Sequence, residues 1–291
     1  MVECVIVKLN PLALLMPESS SKLLITKPKR RFCILVGALG ILLTGCSSRP
    51  SDKLDFTIAA ASDLRYAMDK LAPRFQARHP QVTVKVSYGS SGQFSQQIAH
   101  GAPYDVFCSA DLAYPRSLAA KGLTLPGSEF IYGIGRIVIW APSESPLDVE
   151  QRGFDSLRDS AIRYIAIANP AHAPYGKAAV AALQTAGMYE GLKGKFAFGE
   201  SVSATLQYVQ RGSAEVGIVA LALALAPPVR ETGRYWEIPL ESYPRLEQGG
   251  AIIKSTKHAA VAQDFRLFML SEEARAILDR YGFSPTAATP R

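Results

Sequence analysis

Two stretches of the chain alternate short apolar segments with segments of helical periodicity, and they do so at nearly the same spacing. In the first, residues 55–61 read as a strand and 62–78 as a helix, with apolar Leu64, Ala67, Met68, Leu71 and Phe75 three or four residues apart. Residues 82–86 alternate as a second strand, 93–100 read as a helix, Gly101-Ala102-Pro103 breaks it, and 105–109 read as a third strand. In the second stretch, 164–168 is a strand, 169–174 a turn and 175–186 a helix closed by Gly187. Residues 195–198 are a strand, Glu200-Ser201-Val202 opens a helix to Arg211, and 215–220 is a strand running into apolar 221–226. The turns recur in step: 29 residues from Ser62 to Ser91 against 27 from Tyr175 to Val202, then 14 to Asp105 against 13 to Glu215. A β-α-β-α-β order implies a mainly parallel sheet with right-handed crossovers. Twice over, it predicts an α/β fold of two similar lobes that face each other.

The remaining segments join these halves. Residues 130–140 and 238–253 are strand-like and are predicted to be the two crossings between lobes. Residues 261–282 read as two helices, with Ser271 as N-cap, Glu272 and Glu273 in the first turn, and Gly282 as C-cap. The predicted division places 54–135 and 241–291 in one lobe and 136–240 in the other. The apolar run 216–226 is too short to span a bilayer, which takes about 20 residues.

The formal charge of +7 is unevenly placed: residues 1–45 hold six Lys and Arg against Glu3 and Glu18. Beyond them no basic cluster or stripe with interleaved aromatics occurs, so the footprint of a nucleic-acid binder is missing. With 48% hydrophobic and 20% charged residues, disordered, collagen-like and solenoid chains are excluded. The basic excess belongs to an export signal. Lys27-Pro28-Lys29-Arg30-Arg31 precedes the apolar run 32–43, a basic region followed by a non-spanning apolar one. Its end, Leu43-Thr44-Gly45-Cys46, resembles a bacterial lipobox, in which Cys46 is lipidated and becomes the mature N-terminus; a plain secretory peptide is the alternative. Residues 47–53 are then a polar tether, and Met16 is a second candidate start. Cys4 and Cys33 leave with the leader and Cys46 is acylated, so Cys108 remains alone and no internal disulfide forms. In apolar Asp105-Val106-Phe107-Cys108 it reads as a buried thiol.

Enzyme templates fail in turn. Gly89-Ser90-Ser91-Gly92 has its glycines one residue too close for a nucleophile elbow. There is no P-loop, no dinucleotide glycine fingerprint, and no paired metal spacing among His79, His100, His172 and His258. His79 and His100 fall at predicted helix ends and suit surface caps, and His172 alone lies in a turn that can face a cleft. The turns at the carboxyl ends of the strands stand out: Ser62, Ser90-Ser91-Gly92, Pro174-Tyr175-Gly176 and Ser201-Val202-Ser203 each open a helix. Open α/β sheets bind ligands there, and a helix N-terminus offers unpaired N–H donors and partial positive charge, which suits an anion. Ser and Gly at these places also serve as ordinary N-caps, so on the residues alone both readings stand.

Four segments carry a more specific likeness: Ala59-Ala60-Ala61-Ser62, Gly89-Ser90-Ser91-Gly92-Gln93, Gly101-Ala102-Pro103-Tyr104-Asp105-Val106-Phe107 with Ser109-Ala110-Asp111, and Asn169-Pro170-Ala171-His172-Ala173-Pro174-Tyr175-Gly176. With Val216-Gly217-Ile218-Val219-Ala220 and Arg280-Tyr281-Gly282-Phe283, the chain resembles, over residues 54–285, the molybdate-binding proteins of bacterial ABC importers. The resemblance implies a type II periplasmic-binding-protein fold and a monomeric receptor that carries no cofactor and does no chemistry. Its ligand would be molybdate or tungstate, its partner an ABC permease, and its place the periplasmic side of a bacterial membrane, held there by the lipid alone. It also implies the ligands: Ser62 and Ser91 through hydroxyl and backbone donors, Tyr175 and Val202 through backbone N–H. The position where some members place a tyrosine donor is Ala220 here. Lys177, two residues inside its helix, is expected to point outward, and Asp63 to sit in a first helical turn facing solvent. The rivals are a receptor for sulfate or phosphate, an extracytoplasmic α/β hydrolase, and a structural surface lipoprotein.

Overall fold

The computed structural model describes residues 53–285. The leader, Cys46 and the start of the tether lie outside the described residues. Two five-stranded sheets make up the fold. The first runs in the order β2-β1-β3-β10-β4, from β1 (Leu54–Ala61), β2 (Val82–Gly89), β3 (Val106–Ser109), β4 (Phe130–Gly135) and β10 (Leu246–Ile252). The second runs β7-β6-β8-β5-β9, from β5 (Ile137–Pro142), β6 (Ile165–Ala168), β7 (Phe196–Gly199), β8 (Val216–Ala220) and β9 (Gly233–Glu237).

Each sheet has the same plan. Its first βαβαβ unit pairs in parallel, β1 between β2 and β3 in one lobe and β6 between β7 and β8 in the other. The strands that arrive from the opposite half pair antiparallel, β10 with β3 and β4, and β5 with β8 and β9. Helices of eight residues or more are numbered α1 (Arg65–Arg78), α2 (Ser91–Ala99), α3 (Ala113–Ala120), α4 (Pro174–Thr185), α5 (Val202–Gln210), α6 (Ala259–Met269) and α7 (Glu272–Arg280). Among the described residues no helix is long and apolar enough to cross a membrane.

Burial follows from the sequence periods. Ala67, Met68, Leu71 and Phe75 form the inner stripe of α1, and Phe75 packs edge-on to Phe265 of α6 at 5.2 Å between ring centres. The central strands β3, β6 and β8 are buried along their whole length, as expected of strands covered on both faces. Cys108 is fully buried in β3, and burial pushes its thiol well above the usual range.

The structure departs from expectation at three places. The predicted helix 62–78 begins as a tight 3-10 turn, Ser62–Leu64, before α1 starts. The strand-like run 130–140 is two strands in different sheets, with Arg136 alone between them. The run 238–253 is strand only from Leu246; Pro239 and Pro244 interrupt what precedes it, and the lobe-2 partner is β9, upstream of the predicted segment.

The two crossings lie side by side. The Ile238 N–H donates to Ile137 O at 3.1 Å, the Ile137 N–H to Tyr243 Oη at 3.3 Å, and Arg136 pairs with Glu237.

Candidate functional site

Ser62 follows β1 directly and opens the 3-10 turn, and the other three turns each begin a helix. Ser90 caps α2, its Oγ accepting from the Gln93 N–H, so that Ser91 is the first helical residue. Pro174 occupies the first position of α4, where a missing N–H costs nothing, and Tyr175 follows it. Ser201 caps α5 by accepting from the Ala204 N–H, which leaves Val202 first in that helix. The first N–H groups of a helix have no partner inside it.

The structure brings Ser62, Ser91, Tyr175 and Val202 to one pocket, between the two lobes. All four are buried, none more than 3% exposed. No Lys or Arg is among the described residues that line it. Both serine hydroxyls are oriented by backbone. Ser62 Oγ accepts from the Ser203 N–H of the opposite lobe at 3.2 Å, and Ser91 Oγ accepts from the Ala110 N–H at 3.0 Å. A hydroxyl that accepts in this way still has its own proton to give. The pocket therefore presents O–H and N–H donors at the positive ends of three helices, a lining suited to an anion that has only acceptors.

Asp63 overturns its expectation. It does not face solvent: it is 1% exposed and lines the pocket beside Ser62. The Tyr175 hydroxyl donates to its Oδ2 at 2.9 Å, and Gln248 Nε2 donates to that hydroxyl at 3.2 Å. Oδ1 has no hydrogen-bond partner among the described residues. Burial raises the Asp63 carboxyl to about 6; the Tyr175 hydroxyl and the nearby backbone of Asp63 and Leu64 oppose the rise only in part. The same burial, with the Asp63 charge beside it, holds the Tyr175 phenol well above its usual range.

One predicted residue acts in a further way, and two residues join the site from outside the predicted set. Tyr175, expected to act through its backbone N–H, also fastens its side chain to Asp63 across the lobes. His172 reaches lobe 1 twice: its carbonyl accepts from the Gly92 N–H at 2.9 Å, and its Nδ1 lies 2.8 Å from Ser90 Oγ. Glu200 contacts both His172 and Gln93. The sequence signals for these contacts are the place of His172 in a turn that can face a cleft and Gly92, where a Cβ would stand 2.5 Å from His172 O. Lys177 is exposed as expected, though its Nζ donates to the Tyr114 hydroxyl at 3.2 Å. Ala220 is buried at the end of β8 and has no side-chain donor to offer. His79 and His100 cap α1 and α2 at their C-terminal ends. No group of His, Cys, Asp and Glu that could hold a metal ion occurs among the described residues.

A two-lobed α/β chain that closes a donor-lined pocket between its halves has the design of a solute-binding protein. The chain belongs to the family of bacterial extracellular solute-binding proteins, whose sequence profile matches residues 56–284. It is 35% identical to the molybdate-binding protein ModA of Rhodobacter capsulatus over 201 residues, which is 69% of this chain and 77% of that protein. It is 33% identical to ModA of Azotobacter vinelandii over 251 residues, or 86% of this chain and 96% of the relative. The solved structure of the Azotobacter vinelandii periplasmic molybdate-binding protein superposes with a TM-score of 0.74 at 33% identity, covering 79% of this chain and 99% of that one. The fold is thus that of the type II periplasmic binding proteins. The chain is a binding component of transport and not an enzyme, and its small solute is a ligand rather than a cofactor. Membership of this family places it outside the cytoplasm.

Proposed function

We propose that the protein captures molybdate, and tungstate equally well, and delivers it to an ABC permease while a lipid on Cys46 holds it at the membrane. The observation that carries this reading is the convergence of Ser62, Ser91, Tyr175 and Val202 on one buried pocket without Lys or Arg. A tetrahedral dianion with no proton of its own is satisfied by such a lining, neutralised by helix ends and charge-assisted hydrogen bonds instead of a cationic side chain. The two relatives named molybdate-binding protein support the choice of solute. The lipid anchor rests on Leu43-Thr44-Gly45-Cys46, and the monomeric state on a pocket completed within one chain.

The test is a thermal-shift panel of molybdate, tungstate, sulfate and phosphate, followed by calorimetry on those that stabilise. Molybdate and tungstate should bind alike and sulfate weakly, being too small to reach every donor. One observation favours a second reading. The unpartnered Asp63 Oδ1 is an acceptor that a protonated oxyanion such as hydrogen phosphate would use and a fully deprotonated one would not. Phosphate bound tightly by the wild type and lost in Asp63→Asn would make phosphate the solute.

A further inference from the structure

Four residues form a closed circuit beside the pocket, through their side chains and one backbone N–H. Ser90 Oγ lies 2.8 Å from His172 Nδ1, and His172 Nε2 lies 3.3 Å from Glu200 Oε2. The same carboxylate oxygen accepts from Gln93 Nε2 at 2.7 Å, and the Gln93 N–H returns to Ser90 Oγ at 3.4 Å. The polarity is self-consistent. Because Ser90 Oγ accepts from Gln93, its proton is available to Nδ1, and the neutral imidazole then carries its proton on Nε2, towards the carboxylate.

Two members, Ser90 and Gln93, belong to the lobe of β1, and two, His172 and Glu200, to the lobe of β6. Each sits next to a turn that faces the pocket: Ser90 precedes Ser91 and Gln93 lies two residues after it, His172 lies three residues before Tyr175, and Glu200 two before Val202. His172 does not itself line the pocket. Its carbonyl bond to the Gly92 N–H adds a backbone clasp at the same point, and the close approach of the two chains there leaves no room for a side chain at 92.

We propose that His172 is a positioning residue of the anion site. Through Ser90 and Glu200 it holds the Ser91, Tyr175 and Val202 turns at the spacing at which they close on the anion, and so sets how slowly the anion leaves. This rests on the reading of the pocket as a molybdate site. The donors come from both lobes, so release requires the lobes to part and every bond between them to break. Capture begins before those bonds exist. The circuit therefore acts on the dissociation rate and leaves the association rate alone. Its arms are unequal: the Ser90 arm is largely buried, with Ser90 3% and the His172 side chain 17% exposed, whereas the Glu200 side chain is 69% exposed, where a charged contact contributes little.

The test is stopped-flow measurement of sodium molybdate capture and release by the purified protein, with thermal midpoints of the anion-free forms. His172→Ala should release molybdate about tenfold faster, the effect of one lost hydrogen bond, with capture and anion-free stability close to wild type. His172→Asn, whose amide can stand where Nδ1 stands, should restore slow release, and Glu200→Gln should cost less than about threefold. Should His172→Ala fail to fold, His172→Gln, which keeps the reach to Glu200 and loses Ser90, gives the same comparison with the Asn variant. Unchanged release in the Ala or Gln variant overturns the proposal and leaves the molybdate reading intact. So does a fall in capture rate together with anion-free stability, which would mark a merely structural role. A wild-type protein that binds no molybdate removes the molybdate reading and this proposal with it.

Discussion

Asp63 carries a pH dependence whose sign follows from its burial. An unfolded carboxyl titrates at 3.8 and this one at about 6 in the fold, so between those values the folded protein holds a proton that the unfolded chain has lost. Stability is thus full below the lower value and falls as pH rises through the upper one. The rise costs about 3 kcal/mol at neutral pH, at roughly 1.4 kcal/mol per unit. Asp63→Asn keeps an acceptor for the Tyr175 hydroxyl and cannot ionise. Its melting temperature should exceed that of wild type by several degrees at pH 8 and converge with it at pH 4; equal gaps at both values would show that Asp63 is not ionising against burial. The serines differ in a second way. Ser62→Ala and Ser91→Ala should each weaken molybdate roughly ten- to a hundred-fold by calorimetry, whereas Val202→Ala, which keeps its N–H, should change little. Ser91→Ala should also lower the anion-free melting temperature, because it strips the buried Ala110 N–H of its acceptor. Ser62, Ser91, Tyr175 and Val202 were legible as helix-opening residues repeated in both halves. The buried Asp63 was not: a first-turn acid normally faces water, and the Tyr175 that holds it is 112 residues away.

At the scale of elements, the turns were readable because the chemistry that makes a turn is local. Ser90-Ser91-Gly92 and Pro174-Tyr175-Gly176 announce themselves through caps, glycine and proline. The division of residues 130–140 into β4 and β5 was hidden, since the chain passes from one sheet to the other at Gly135-Arg136, with no proline or polar cluster to break a run that is otherwise apolar. The strand β9 was missed for a different reason: Gly233-Arg234-Tyr235-Trp236-Glu237 is only half-buried and lacks a clean alternation. The contact between α2 and the 169–173 turn gives a test at this scale. A methyl group at Gly92 would press on the His172 carbonyl at 2.5 Å and on its Cα at 2.9 Å, both backbone atoms that cannot swing aside. Gly92→Ala should therefore keep each lobe folded, as judged by circular dichroism, while calorimetry shows molybdate binding weakened by more than either serine change. Wild-type affinity in this variant would mean that the lobes need not approach so closely.

For the whole molecule, the repeated α/β plan was evident in the spacing of the turns, while the contacts between lobes were not, because residues that meet across the cleft share no local pattern. Attachment is tested at Cys46, with Cys46→Ala expected to leave the membrane fraction and to lose incorporation of labelled fatty acid; unchanged fractionation and labelling would show that the attachment lies elsewhere. Multiple acyl chains hold stably where one does not, so a cysteine carrying several would suffice for attachment. The paired crossings bear on how the molecule moves. Arg136 and Ile137 on one strap are bound to Glu237, Ile238 and Tyr243 on the other. Fastened like a door on two pins, the halves can swing but cannot shear past each other. A single swing is one coordinate, and it makes the cargo's confinement all-or-none: the door is shut with the ion inside, or it is open and the ion is free.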